Sequence, residues 1–138
     1  MNPPSKGHTI LVVDDEPEVL ELIRIILMDD GHRVITASGA DMALTLFRGL
    51  ENPPDLLVAD VVMPGMSGPM LVERLTQFEP ELRILFMSAY DSRQVVRRFV
   101  VEKGYSLISK PFKISDLRAA VKEELKVPRR TARWGLAN

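Results

Sequence analysis

The stretch ILVVDD, residues 10–15, decides the fold, because four apolar residues run directly into two carboxylates. Two further stretches repeat the arrangement: LLVAD at residues 56–60 ends in an acid, and LISKP at residues 107–111 leads into a lysine. Side chains that follow buried parallel strands meet at one edge of the sheet, where open α/β folds bind their ligands. We therefore expect one pocket for a divalent cation and an anion, built from Asp14, Asp15, Asp60 and Lys110.

The length and composition are those of one domain with a substantial core. The chain has 138 residues, of which 46% are hydrophobic, and a formal net charge of −1. This balance gives no global indication of nucleic-acid or membrane binding, and we expect neither partner. The absence of cysteine excludes disulfides and thiolate metal sites. No apolar run approaches the ~20 residues that span a bilayer and no signal peptide pattern opens the chain, so we expect a cytoplasmic protein.

Strand-like and helix-like patterns alternate along the chain. The predicted strands cover Thr9–Val13, Arg33–Thr36, Asp55–Ala59, Leu82–Met87 and Tyr105–Ile108. The predicted helices run from Pro17 to about Met28, Asp41 to about Leu50, about Gly68 to Phe78, Asp91 to Lys103, and from a cap at Ser115 to about Lys126. Gly31 and Gly104 are expected to end the first and fourth helices. This alternation requires an α/β fold with a five-stranded parallel sheet and five helices on both faces.

The ends of the chain have a different character from its middle. We expect a flexible N-terminus at residues 1–7, one domain at residues 8–126, and a basic flexible tail or linker remnant at residues 127–138. The tail contains arginines and no acidic residue.

Each motif also has a purely structural interpretation. The acidic run after the first strand can be a helix N-terminus, with Asp15 as its cap and Glu16 favoured by the helix dipole. Asp60 can be a turn residue, Lys110 a surface lysine and Ser88 a hydroxyl at a strand end. The functional interpretation is a site for Mg²⁺, which prefers oxygen ligands, takes few carboxylates and keeps several waters. The occurrence of all these motifs at four strand ends favours the functional interpretation.

Two proline-containing segments flank the predicted pocket. The segment VVMPGMSG, residues 61–68, combines a proline with two glycines and predicts a fixed loop that presents Asp60 at its strand end. The bond between Lys110 and Pro111 directly follows a strand and is a candidate cis peptide. In that form it would turn Lys110 inward across the same sheet edge.

Together these motifs resemble the receiver (CheY-like) domain of two-component response regulators. The resemblance covers about residues 9–126 and is carried by VVDDEP (12–17), DVVMPGMSG (60–68), MSA (87–89) and SKPF (109–112). It implies a doubly wound, flavodoxin-like sheet in the strand order 2-1-3-4-5. The phrases GPMLVERL and LFMSAY look like receivers attached to hybrid sensor histidine kinases.

The resemblance implies a phosphorylation-dependent signalling switch. Asp60 would accept a phosphoryl group from the phosphohistidine of a sensor histidine kinase or a phosphotransfer domain. Asp15 and Asp60 would bind Mg²⁺ directly, together with the backbone carbonyl of Val62, and Asp14 would hold the metal through water.

Further residues would bind the phosphoryl group itself. The resemblance implies that Lys110 pairs with this anion and that Ser88 and the backbone N–H of Ala89 bind its oxygens. Phosphorylation would change a surface made of the fourth helix, fifth strand and fifth helix, which contacts an unknown downstream protein or a second copy of the chain. The plain alternative for the fourth helix is an apolar core face opposite a solvated basic face.

One position departs from the family. Receivers usually carry Tyr or Phe three residues before the lysine, as an aromatic switch, whereas this chain has Leu107 there. Our hypothesis is that Tyr90 or Tyr105 takes over part of the coupling.

Two other function classes remain as alternatives. A Mg²⁺-dependent phosphohydrolase with an aspartate nucleophile usually carries a second acid two residues later, where this chain has Val62, so we expect no enzyme beyond self-phosphorylation and dephosphorylation. A protein-binding module that is never phosphorylated is disfavoured by the complete set of Asp14, Asp15, Asp60, Ser88 and Lys110.

Overall fold

The computed structural model describes residues 7–89, 98 and 100–128. The strands are β1 (Thr9–Val13), β2 (Arg33–Ala37), β3 (Leu56–Asp60), β4 (Arg83–Ala89) and β5 (Ser106–Lys110). The helices are α1 (Pro17–Asp29), α2 (Ala40–Gly49), α3 (Gly68–Phe78), α4, described at residues 98 and 100–102, and α5 (Ile114–Lys126).

The strands form one parallel sheet in the order β2-β1-β3-β4-β5, which confirms the predicted topology. At its centre, β1 and β3 pair with Ile10 opposite Leu56 and Val13 opposite Ala59. Every residue of β3 is buried. Because helices cover both faces, the central strands have no solvent side, and their sequences are continuous apolar runs rather than alternating ones.

Two apolar layers hold the helices on the sheet. The layer beneath α2 and α3 includes Leu11, Leu57, Phe86, Leu71 and Phe47, and Val100 of α4 belongs to it as well. The layer beneath α1 and α5 includes Ile10, Val58, Met87, Ile23, Leu27 and Leu117. Successive strand residues point to opposite faces, so each central strand contributes to both layers.

The glycines predicted to end helices do so. Gly31 and Gly104 follow α1 and α4 with φ angles of 93° and 83°. This left-handed conformation is strained for residues that carry a Cβ, so glycine is favoured at both positions.

Helix α1 begins at Pro17 as predicted, but two predicted helix caps were wrong. Glu16, not Asp15, is the N-cap of α1, and it makes no side-chain cap hydrogen bond. The preceding turn is instead closed by Asp14, whose Oδ1 accepts the backbone N–H of Glu16 at 2.9 Å. Ser115 lies inside α5, because the carbonyl of Lys113 already accepts the N–H of Asp116 at 3.0 Å.

Four strands end later than predicted, β2 and β3 by one residue and β4 and β5 by two. β4 reaches Ala89 and β5 reaches Lys110, and these two residues pair across the sheet. The sequence analysis ended both strands where the apolar run ends. A ladder is made by backbone groups, however, so it continues through polar residues. The polar side chains of this edge therefore stand on the sheet itself.

Several predictions lie outside the described residues. They include most of the helix predicted at Asp91–Lys103, Tyr90, and nearly all of the two chain ends expected to be flexible. Within the part of the chain that the structure describes, no helix is long and apolar enough to cross a bilayer.

We expect Leu57→Ala to lower the free energy of unfolding by about 2–5 kcal/mol, since removing a buried isobutyl group leaves a cavity. Leu57 is fully buried in β3, whereas Leu22 of α1 is 44% exposed and provides the matched control. Leu22→Ala should change the free energy by no more than about 0.5 kcal/mol. Urea denaturation followed by circular dichroism measures both. Equal losses would contradict the central position of β3.

Candidate functional site

The polar side chains singled out from the sequence meet at the carboxyl edge of the sheet. Asp14 follows β1, Asp60 is the last residue of β3, Ser88 belongs to β4, and Lys110 is the last residue of β5. In the sheet order these are neighbouring strands. The parallel topology therefore brings together groups that lie far apart in the sequence.

Three carboxylates form a tight cluster at this edge. Asp14, Asp15 and Asp60 each offer one oxygen, and these oxygens all lie within 4.8 Å of one another. Asp14 is fully buried and Asp60 is 6% exposed, whereas Asp15 is exposed to solvent. The cluster thus has a buried floor and one open side.

Lys110 lies over the buried floor of the cluster. Its Nζ is 2.8 Å from Asp14 Oδ2, 3.0 Å from Asp60 Oδ2 and 3.0 Å from Glu16 Oε1. The lysine side chain is only 12% exposed. The peptide bond between Lys110 and Pro111 is cis.

The electrostatics of Lys110 favour a permanent charge. Burial by itself would lower the pKa of Lys110, but the attraction of the carboxylates of Asp14, Asp60 and Glu16 outweighs it, and the pKa lies above its ordinary value. A lysine whose pKa is raised remains protonated throughout the neutral range. Lys110 is therefore a fixed cation beside Asp60.

The pKa of Asp60 is also raised, which for an acid disfavours the charged form. Burial raises the pKa of Asp60 above its ordinary value and the charge of Asp14 adds to the rise, against the opposing effects of Lys110 and the Val62 N–H. Burial is the larger cause.

One oxygen of the cluster lacks a hydrogen-bond donor. Asp14 Oδ2 is buried and, although Lys110 Nζ is near it, the contact has ion-pair rather than hydrogen-bond geometry. A buried carboxylate oxygen without a donor is costly unless a charge offsets it. Such an oxygen, close to two other carboxylates, fits a hard divalent cation that takes oxygen ligands.

The loop after β3 fixes the position of Asp60 through backbone hydrogen bonds. The N–H of Val62 donates to Asp60 Oδ1 at 3.3 Å, and the N–H of Gly68 donates to the carbonyl of Val61 at 2.9 Å. A Cβ on Gly68 would lie 2.2 Å from the carbonyl oxygen of Asp60. Only glycine allows the start of α3 to approach the strand end this closely.

The remaining predicted site residues have varied surroundings. Ser88 is fully buried, and its Oγ donates to the carbonyl of Ala89 at 3.4 Å, a long hydrogen bond that a better acceptor can replace. Ala89 is half-buried and Val62 is 56% exposed beside Asp60.

Two of the predicted switch residues, Leu107 and Tyr105, pack against the layer beneath α2 and α3. Leu107 is half-buried against the layer beneath α2 and α3. Tyr105 packs edge-on against Phe86, with ring centroids 5.5 Å apart and an interplanar angle of 74°.

Comparison with known proteins agrees with this fold. The family model described as the response regulator receiver domain matches residues 10–122. The chain belongs to the response regulator receiver domain family. Sensor kinase CckA of Brucella abortus is 32% identical over 121 residues, which are 88% of this chain and 13% of the kinase. Response regulator GtcR of Aneurinibacillus migulanus is 33% identical over 122 residues, which are 87% of this chain and 48% of that regulator.

Solved structures show the same architecture. A response regulator receiver domain protein from Clostridium thermocellum superposes with a TM-score of 0.77 at 26% identity, covering 86% of this chain and 94% of that one. The chain spans less than half the length of the two curated relatives above. It is a receiver domain of the two-component type, a class of signalling switches that interact with histidine kinases or phosphotransfer proteins.

The sequence analysis missed two contributions to the receiver site. It treated Glu16 only as a helix N-terminal acid, whereas Glu16 is a third ion partner of Lys110. It did not identify Ser67 as the cap of α3, whose side chain accepts the N–H of Met70 at 3.3 Å. A serine followed directly by Gly68 and a proline is a sequence pattern that predicts such a cap at Ser67.

We expect the raised pKa of Asp60 to be visible in the stability of the metal-free receiver. The folded state retains the Asp60 proton to higher pH than the unfolded chain does, so this contribution to the free energy of unfolding falls as the pH rises from about 3.8 through the folded pKa. Urea denaturation in a chelator across the acid range, comparing wild type with Asp60→Asn, measures it. The free energy of unfolding of wild type, relative to that of Asp60→Asn, should fall with rising pH and should rise again when Mg²⁺ is added in excess of the chelator. A pH-independent difference would contradict the burial of this carboxylate.

Proposed function

We propose that Asp60 is the residue phosphorylated in this receiver domain, with a phosphohistidine of a sensor histidine kinase or phosphotransfer domain as the donor. The observation that carries the proposal is the 3.0 Å contact between the Lys110 ammonium and Asp60 within the cluster of three carboxylates. An Asp60 oxygen forms a bond to phosphorus while the bond from phosphorus to the histidine nitrogen breaks. The histidine leaves as a neutral imidazole after taking up a proton.

Lys110 is the residue we assign to neutralising charge during transfer. Negative charge gathers on the three peripheral oxygens of a phosphoryl group in flight, so positioning and electrostatics supply most of the catalysis. The ammonium is in place beforehand, paired with Asp60 and Asp14. A preorganised charge in a buried site acts more strongly than it would in water.

We propose Mg²⁺ as the cation of the cluster, held by Asp15, Asp60 and the carbonyl of Val62, with Asp14 through a water. The all-oxygen donor set and the Asp14 oxygen without a hydrogen-bond donor support this choice. When bound, Mg²⁺ offsets the charge of the carboxylates and of the phosphoryl oxygens. Asp14 is already paired with Lys110, so its carboxylate would interact with both the ammonium and the Mg²⁺.

Ser88 and Ala89 are the groups we propose for the phosphoryl oxygens. Ser88 stands in β4, one residue beyond the partner of Asp60 in the sheet, and its buried hydroxyl has only a long hydrogen bond. Exchange of that bond for a charged acceptor would be favourable, since hydrogen bonds to anions are roughly twice as strong. The N–H of Ala89 follows on the same strand. The cytoplasmic location expected from the sequence belongs to the same proposal.

We expect wild type to gain one phosphoryl group when incubated with Mg²⁺ and either acetyl phosphate or a phosphorylated histidine kinase. Asp60→Asn should gain none, because its amide is not a nucleophile. Asp41→Asn is the matched control, since it removes an exposed carboxylate in the first turn of α2. Lys110→Ala should slow transfer by about 10²-fold or more. Intact mass spectrometry over time measures the phosphoryl content of wild type and of the three variants.

Three outcomes would count against this function. A phosphoryl group that appears on Asp60→Asn would place the acceptor elsewhere. Continuous hydrolysis of a small phosphate ester would favour a Mg²⁺-dependent phosphohydrolase, and a wild type that stays unmodified by every donor would favour a binding module.

We propose further that Tyr105 carries part of the coupling that an aromatic residue at the Leu107 position would provide. Tyr105 touches Phe86, and Phe86 Cε1 lies 3.1 Å from where a Gly68 Cβ would be. Gly68 in turn abuts the backbone of Asp60. This is a continuous line of packed groups from β5 to the phosphorylation site. A contact path carries coupling only if phosphorylation shifts it between two arrangements.

The surface that Tyr105 would influence is formed by α4, β5 and α5. On α4, Val101 is 59% exposed, and at the start of α5 Ile114 is 47% exposed. We propose this surface for the downstream protein or for a second copy of the chain. Phosphorylation can bias it only by stabilising one of its states over the other.

We expect Tyr105→Leu to leave phosphorylation of Asp60 intact and to weaken its effect on this surface. The measurement is amide hydrogen exchange of residues 100–110 with and without the phosphoryl group. Tyr105→Phe is the control, because it retains the edge-on ring contact, which contributes about 0.5–1.5 kcal/mol. A phosphorylation-dependent change that is equal in wild type, Tyr105→Leu and Tyr105→Phe would contradict the role of Tyr105.

A further inference from the structure

Two histidines meet at the opposite edge of the sheet from the phosphorylation site. His8 directly precedes β1, and His32 directly precedes β2. Their rings are tilted by 47° with centroids 5.8 Å apart. They form one wall of a cleft of about 730 Å³ whose other wall is the second half of α5.

The contact between the two histidines is made by a backbone donor and a ring acceptor. The N–H of His8 donates to His32 Nδ1 at 3.1 Å. A ring nitrogen can accept a hydrogen bond only while it carries no proton. The observed contact therefore requires a neutral His32 imidazole, protonated at Nε2 alone.

The same short segment is held against the turn by two other contacts. The N–H of Arg33 donates to the carbonyl of His8 at 2.9 Å. A Cβ on Gly7 would lie 2.1 Å from the carbonyl oxygen of Gly31, so the chain presses closely on the turn after α1. On its other side, the N–H of Thr9 donates to Asp55 Oδ2 at 2.8 Å. Among the acceptors of these contacts, the His32 ring is the group whose ordinary pKa lies nearest to neutral pH.

The His8 ring adds no hydrogen bond on its inner side. Its Nδ1 is buried and has no partner among the described residues. The segment is therefore held through the backbone of His8 and not through its Nδ1.

Charged groups of both signs surround His32. Asp30 at the end of α1 and Asp55 before β3 contribute negative charge, and the His8 ring lies beside it. From α5, the cleft is lined by Arg118, Lys122 and Lys126, of which Arg118 is paired with Asp30 at 3.1 Å. The acids near His32 thus face a row of cations across the cleft.

We propose that His32 is a pH-sensitive latch for the segment that enters β1. While its imidazole is neutral, Nδ1 holds the backbone N–H of His8 against the turn before β2. A proton on Nδ1 removes the acceptor, places two N–H donors face to face, and loosens residues 7–9 from that turn. The device is remote from the carboxylate cluster and independent of the phosphoryl chemistry.

The environment of His32 supports this assignment. Burial lowers the pKa of His32 from its ordinary 6.5 and the His8 ring lowers it further, while Asp30 and Asp55 offset part of the shift. As the pH falls, the unfolded chain takes up this proton before the folded protein does. The stabilisation from the latch is therefore complete at neutral pH and is lost as the pH falls below about 6.5 toward the folded pKa.

The test is NMR of the whole chain labelled with ¹⁵N. At about pH 7.5 the imidazole shifts should show His32 with Nδ1 bare and Nε2 protonated, and its titration midpoint should lie below 6.5. The exchange protection factor of the His8 amide should fall, by at most about tenfold, between about pH 7.5 and about pH 5.5, a range above ordinary carboxylate titration. The amides of Leu11–Val13 serve as internal references that remain protected.

Two variants identify which histidine is responsible. His32→Ala should leave the His8 amide poorly protected at both pH values. His8→Ala retains the backbone donor and the acceptor, so protection at residue 8 should still fall on acidification. A His32 midpoint at or above 6.5, an unchanged protection factor in wild type, or a pH-dependent amide in His32→Ala would overturn the latch. If a variant fails to fold, the wild-type titration decides alone.

Discussion

The ion pairs of Lys110 with Asp14 and Asp60 are the interaction on which the site depends. Two buried carboxylates at one sheet edge would repel each other and lose hydration, and either effect alone disfavours their charged forms. A single ammonium at 2.8 and 3.0 Å offsets part of both effects, and burial still leaves the pKa of Asp60 raised. It leaves Asp15 exposed and Asp14 Oδ2 without a donor, so the cluster remains open to a second cation.

The parallel sheet makes this arrangement possible because it places every strand end on one side. Asp60 stands at the end of the central strand β3, where both faces are covered by helices, and it is buried, whereas Asp15, two residues beyond β1, is exposed. The close approach of Gly68 to the Asp60 backbone holds that strand end in place. The same burial raises the pKa of Asp60, which links the charge state of this carboxyl group to the stability of the fold.

Most of the fold could be predicted because the sheet is buried on both faces. Continuous apolar runs such as residues 10–13 and 56–59 have no alternation that could be confused with an exposed strand, and glycine or proline follows each helix closely. The errors lie where polar residues compete for a local role. Asp15 and Ser115 both have the chemistry of a helix cap, but the caps are Glu16 and Lys113. Backbone pairing also continued through Lys110, where hydrophobicity had ended the strand.

The sequence by itself determined the alternation of strands and helices, the parallel sheet, and the set of acids and one lysine that follow the strands. These follow from apolar periodicity and from the rule that parallel strand ends share an edge. Only the tertiary structure decided that Lys110 contacts Glu16 as well as Asp14 and Asp60, and that Tyr105 packs on Phe86. It also decided that the His8 backbone meets the His32 ring. Such contacts join residues up to 94 positions apart, and they depend on side-chain directions that no local pattern encodes.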